Sequence, residues 1–365
     1  MSSKNYYVPV LKWKRGEQKA IENLSTNSLD NIMPLIEIAP IEFDYENNRP
    51  KKTIDEHISN IPESILTSLK SVSCFIDGFT IEDEELLTDG THAIKYIIEN
   101  SIKNESNVIP VTGIGREISY DSAIKNMLDN NTIDKLCIRI EESNFSMLNS
   151  NLQSILNKFD ITPDKCHIIL DLKEVKPTSI SSLQLLLPML INNMINLNDW
   201  ISITLVSTAF PVNLGIVPKN SAKILLRSEY DLWKEISIKG NLIRPIQFGD
   251  YAISNPEYTD MDPRYINMSG NIRYTIDNGF LIYKGITTKS NGFSQMIPMC
   301  KDLVKSKYFS GEKFSWGDTQ IYNCANGIGS TGNAETWRRI GTNHHIEFVI
   351  DQLSKINYFP VPLYA

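Results

Sequence analysis

Seven ionisable residues sit where a run of apolar residues stops. Lys12 ends YVPVLK, Glu37 closes PLIE and Asp77 closes CFID; Arg139 and Glu141 end LCIRIE, and Asp171 and Lys173 follow HIIL. A strand buried on both faces should read as near-continuous Val, Ile and Leu. A charge at its end must therefore be paired or must hold a ligand. Glu37, Asp77, Glu141 and Asp171 form the acidic, catalytic set, with oxygens suited to Mg²⁺ or Mn²⁺. Lys12, Lys14, Arg139 and Lys173 could neutralise a phosphate, and Asp250 and Arg273 join them as substrate-binding candidates. Arg139 and Glu141 are two residues apart and share a strand face, as do Asp171 and Lys173. Two other readings stay open: a closed ion-pair network without chemistry, and a parity in which some of these side chains face outward.

The elements that must position these residues alternate in type. Strand-like runs fall at 7–12, 34–39, 74–78, 108–113, 136–141, 167–172, 201–207 and 245–249. Helical stretches fall near 16–24, 54–70, 91–103, 119–130, 146–158, 179–194 and 228–238. Such alternation means parallel βα units. Eight strands within about 250 residues match a TIM-like (β/α)8 barrel, whose sites lie at the C-terminal ends of the strands. A doubly wound open parallel sheet uses the same units and is the alternative. The seventh unit is the least regular, because residues 208–227 carry Pro211, Gly215 and Pro218, and ILLR at 224–227 reads as an extra strand.

The pattern changes after residue 255. Asn271–Gly285 reads as a hairpin around Asp277-Asn278-Gly279, followed by a helix near 294–306 and a last one near 343–354. The chain thus divides into a barrel, 1–255, and an α+β region, 256–365, expected to pack on it. The boundary is placed from Asn255-Pro256 to Asp262-Pro263.

Composition bounds the function. The chain has 365 residues, 36 Lys and Arg against 43 Asp and Glu, and a net charge of −7. That disfavours a generally basic nucleic-acid binder but leaves room for a local basic groove, so a phosphorylated small molecule or a nucleic acid remains a candidate ligand. Five scattered cysteines, without C-x-x-C, exclude a disulfide framework or zinc ribbon and read as buried small hydrophobes in a reducing compartment. Met1 to Tyr6 carries no apolar leader, and no run is long enough to span a bilayer, so a cytoplasmic location away from membranes is expected.

Three further motifs read as structural. Gly327 to Gly332 spells G-x-G-x-x-G, but no long helix and acidic strand end follow, so a loop capped by Asn333 is expected. His344-His345, expected to open the last helix, lacks the second pair of a zinc site and reads as packing or capping. Trp316-Gly317-Asp318 and Trp337-Arg338-Arg339 combine aromatic and charged groups that could stack a base, though Trp more often covers a core edge.

The segments YVPVLKWKRGE at 7–17, PLIEI at 34–38, Gly249-Asp250-Tyr251, Asn271-Ile272-Arg273-Tyr274-Thr275, FSWGD at 314–318 and Trp337 through Gly341-Thr342-Asn343-His344-His345 occur in order. Together they resemble the beta family of proteins, named after the phage T-four beta protein. The resemblance implies a prokaryotic or phage protein, often carried on mobile or defence-associated DNA, with no assigned catalytic residues to transfer. Two functions follow as expectations. One is a barrel enzyme performing metal-assisted hydrolysis of a phosphorylated or nucleotide-like substrate. The other is a non-catalytic binding or sensor subunit, with a protein partner, in an anti-phage or toxin-control complex.

Overall fold

A computed structural model describes residues 5–81, 86–258 and 267–356. Eight parallel strands close into a barrel: Val8–Leu11, Leu35–Glu37, Cys74–Asp77, Val108–Gly113, Leu136–Glu141, Cys166–Glu174, Ser202–Thr208 and Gln247–Asp250. Each pairs with the next, and Val8 pairs with Gly249 to complete the circle. Closure decides against the open sheet. The strands Cys74–Asp77 and Val108–Gly113 are buried at every position, which explains their unbroken apolar runs. Helices between the strands carry local start signals. Thr53 and Glu56 form a capping box at Ile54–Ile58, and the His92 ring accepts the Ile94 amide before Ala93–Lys103.

Contacts divide the chain into two units. The first comprises Met1–Trp13, Ile32–Ser207 and Glu229–Asp250; the second comprises Lys14–Asn31, Thr208–Ser228 and Tyr251–Ala365. The irregular stretch after the seventh strand thus belongs to the second unit. There Ile224-Leu225-Leu226 of that run lies on the strand Ser221–Leu226, antiparallel to Gly279–Thr287, which also pairs with Ser269–Ile276. The expected hairpin turns at Asp277-Asn278, between the paired Ile276 and Gly279. Part of the expected boundary, residues 259–266, lies outside the described residues.

Helices Met296–Lys305, Trp316–Ala325 and Ala334–Ser354 cover this sheet around Tyr274, Leu281, Cys300 and Ile340. The last helix starts at Ala334, about two and a half turns earlier than the sequence pattern predicts. Gly341-Thr342-Asn343 looks like a break, but the helix runs through it, and glycine stands at 341 for space: a Cβ there would come within 2.7 Å of Ile253 Cδ1 and 2.9 Å of the Arg273 carbonyl. The glycine-rich loop does run into a helix capped by Asn333, which accepts the Thr336 amide at 3.0 Å. All five cysteines are free and buried. Among the described residues no helix is long and apolar enough to cross a membrane.

Candidate functional site

Four barrel strands send charged side chains to one point. Arg139 donates from Nη2 to Glu37 Oε1 at 2.9 Å, from Nη1 to Asp77 Oδ2 at 2.8 Å, and from Nε and Nη2 to Asp171 Oδ2 at 2.9 and 2.6 Å. Two strands separate the one bearing Glu37 from the one bearing Arg139 around the circle, so the side chains must meet across the barrel interior. Glu37, Asp77 and Asp171 are at most 1% exposed. Asp77 gains a second cation: Arg116 Nη2 donates to its Oδ1 at 2.7 Å. Both guanidiniums also flank the Phe79 ring, at 5.9 Å for Arg116 and 5.7 Å for Arg139.

The shared cations push two neighbouring carboxyls apart. Burial raises the pKa of Glu37, and repulsion from Asp77 adds to this against the pull of Arg139. Burial would raise Asp77 too, but Arg116 and Arg139 together outweigh it and hold that carboxyl below its ordinary value. Of Glu37 and Asp77, Glu37 thus keeps a proton more readily.

A cavity of about 220 Å³ opens beside this cluster, lined by Phe79, Arg116, Arg139, Glu141 and Asn144 among others. Two glycines shape it. A Cβ on Gly113 would lie 2.5 Å from the Arg139 carbonyl. Gly115, at φ 79°, turns the chain before Arg116. Arg116, Phe79 and Asn144 stand outside the set that strand ends alone pick out. For Arg116 the sequence signal is Gly113-Ile114-Gly115-Arg116, a turn that places a cation just past an apolar strand; Phe79 and Asn144 carry none.

The other candidates are distributed differently. Glu141 pairs with Lys173 at 2.7 Å, with side chains 45% and 39% exposed; a pair this open contributes little. Lys12 is half-buried just past the first strand. Asp250 accepts a hydrogen bond from Tyr7 and lies two residues beyond Phe248, whose ring packs 5.1 Å from Trp233 on the helix Ser228–Lys239. Asp250 therefore shares the face turned to the helix layer, not the Arg139 cluster. Lys14 and Arg273 belong to the second unit. Lys14 is exposed ahead of the helix Arg15–Glu22, whereas Arg273 lies over the Phe210 ring at 5.0 Å.

Among the described residues, no group of three or more His, Cys, Asp and Glu side chains is placed to hold a metal ion. Glu37, Asp77 and Asp171 do converge, but the Arg139 guanidinium occupies their meeting point. This set does not fit a Mg²⁺ or Mn²⁺ centre.

The two histidines of the last helix are both wholly buried. His344 Nδ1 faces Asp318 Oδ2 at 2.8 Å, and Nε2 faces the Thr275 carbonyl at 2.9 Å, while the ring stacks on Tyr274 at 3.8 Å. Such contacts are packing and hydrogen bonding within a core.

Comparison with known sequences places the chain. The sequence pattern of the Beta protein family matches residues 7–351. The chain belongs to that family. No curated protein is similar enough in sequence to count as a relative. Among solved structures, this Beta family chain resembles the apo form of 3-keto-D-glucoside 4-epimerase, YcjR, from E. coli. Identity is 10% and the TM-score 0.31, over 71% of this chain and 95% of that one.

Proposed function

We propose that this Beta family chain binds a small phosphorylated or nucleotide-like anion at the barrel mouth and acts as a binding or sensor component. One observation carries this reading. Arg116 and Arg139 line the cavity with side chains 9% and 5% exposed, whereas the three carboxylates that brace them are at most 1% exposed. A visiting molecule meets cations held rigidly in place, the arrangement that recognises a planar or tetrahedral oxyanion. On this reading the chain takes a place in an anti-phage or toxin-control complex with a protein partner.

A second reading, hydrolysis of the same class of ligand, draws on Glu141, which lines the cavity while its carboxylate pairs with Lys173 at 2.7 Å. It has less support, because the other three carboxylates are engaged with Arg139. Calorimetric titration with AMP, ADP and inorganic phosphate tests the binding reading. Arg116→Gln is expected to weaken binding at least tenfold while the protein stays folded. No binding at millimolar ligand, or equal binding by the variant, overturns it. Ligand turnover that stops in Glu141→Gln would favour hydrolysis instead.

A further inference from the structure

Arg273 and Arg338, both in the second unit, share a single acceptor. Arg273 Nη1 donates to the Ile253 carbonyl at 2.8 Å and its Nε to Asn271 Oδ1 at 3.2 Å. Arg338 Nη1 donates to the same carbonyl at 3.2 Å and to Ser254 Oγ at 2.6 Å. Every one of these acceptors is neutral. Among the described residues neither guanidinium forms an ion pair, and Arg273 Nη2 and Arg338 Nε and Nη2 have no acceptor. The nearby carboxylates are engaged elsewhere. Glu335 faces Arg15 at 3.8 Å and Arg339 at 3.2 Å, and Glu17 accepts the Lys14 amide at 3.2 Å.

Two like charges side by side and half-buried are costly unless an anion joins them. Burial, and then the charge on Arg338, depress the pKa of Arg273 well below that of an ordinary guanidinium; Glu17 opposes this only in part. The neighbouring helix end adds positive potential. Gly16, at the start of Arg15–Glu22, lies so close that a Cβ would sit 3.1 Å from Arg338 Cγ and 3.2 Å from the Glu335 carbonyl. A helix N-terminus beside two arginines reinforces a preference for anions.

We propose that Arg273 and Arg338 form a phosphoryl-binding site of the second unit, separate from the barrel mouth, in which one dianionic group bridges the two guanidiniums. Each fork has donors in hand for it, and a dianion matches two cations where a carboxylate matches one. The ligand is free phosphate or the terminal phosphate of a phosphomonoester.

Thermal unfolding of the full chain tests this, with inorganic phosphate titrated against chloride at constant ionic strength. AMP and acetate serve as parallel arms. The melting temperature is expected to rise saturably with phosphate and not with acetate. A response to AMP but not phosphate assigns the site to phosphomonoesters, and the reverse to the free ion. Arg338→Gln is expected to weaken the phosphate response at least tenfold and Arg338→Lys to keep part of it. The titrations are run in the Arg116→Gln background, where any phosphate bound at the barrel mouth is weakened, so the response that remains reports Arg273 and Arg338 whether or not the barrel reading holds. No rise beyond the chloride control with either phosphate or AMP, or an undiminished response in Arg338→Gln, overturns the proposal. If Arg338→Gln does not fold, phenylglyoxal labelling of the native protein decides. Protection of Arg273 and Arg338 by phosphate supports the site, and equal labelling with and without phosphate refutes it.

Discussion

Arg139 meets Asp171 through Nε and Nη2 together, both on the single oxygen Oδ2, at 2.9 and 2.6 Å. The other oxygen, Oδ1, accepts the Lys173 amide at 2.8 Å. Asp171 is thus braced on both sides, and its charge is matched inside the barrel. Asp171→Asn should cost about 3–5 kcal/mol, the usual penalty for breaking a buried pair from one side. Urea unfolding of the variant at neutral pH measures this. Unchanged or raised stability together with lost ligand binding would instead mean that the crowded carboxylates strain the free protein.

Glu37 and Asp77 should respond to pH in opposite senses. Glu37, with its raised pKa, keeps its proton in the fold above about pH 4.3, where the unfolded chain has lost it. Its contribution is present at low pH and fades as pH rises through the folded value. Asp77, with its lowered pKa, contributes above about pH 3.9 and loses that contribution as pH falls through the folded value. Glu37→Gln should therefore gain stability relative to the native protein at pH 8 compared with pH 5. Asp77→Asn should lose most at neutral pH and least near pH 3. Unfolding curves across that range would show parallel profiles if the two carboxyls were equivalent.

At the opposite end of the strands from Arg139, Tyr6 donates to Ser202 Oγ at 2.6 Å, and Ser202 Oγ shares a hydrogen bond with His167 Nδ1 at 2.8 Å. Burial, with a smaller push from Lys135, lowers the His167 pKa to about 3. Between that value and its ordinary one, near 6.5, the unfolded chain binds a proton that the fold refuses. Stability should thus fall by about 2 kcal/mol between pH 7 and pH 5 from this residue alone. His167→Asn should flatten that slope whatever it costs at pH 7. An unaltered slope would show that His167 titrates freely.

The barrel was legible because its strands are buried on both faces and their charges cluster at the ends. Glu37, Asp77, Arg139 and Asp171 do meet, since each interrupts an apolar run where inward packing would otherwise continue. Asp250 ends its strand in the same way, yet faces outward with Phe248; a four-residue run gives no second period from which to read parity. Arg116 was visible as a cation past the fourth strand, but its pairing with Asp77 depends on a turn at Gly115. The division of the chain was the least legible feature, because Lys14–Asn31 and Thr208–Ser228 join the second unit through contacts distant in sequence.

Gly317 makes a sharper packing prediction. A Cβ there would lie 2.5 Å from the Ile340 carbonyl and 3.2 Å from the His344 amide, both backbone atoms that cannot turn aside. The Gly317 amide also donates to Asn343 Oδ1 at 2.8 Å. Gly317→Ala should destabilise by about 1–3 kcal/mol, as overpacking does. Denaturant midpoints of the two proteins give the difference.

The second unit also sets an order of assembly. Its helix Arg15–Glu22 packs against Ala334–Ser354, near the other end of the sequence. During synthesis the barrel has all its strands once Asp250 has emerged, whereas the helix from residue 15 must wait for residue 354. Such high contact order slows folding and leaves the early helix without its partner meanwhile. Chains arrested after residue 260 should accordingly protect the barrel strands from hydrogen exchange while Arg15–Glu22 stays open, and circular permutation that brings these two helices together should speed the final folding step.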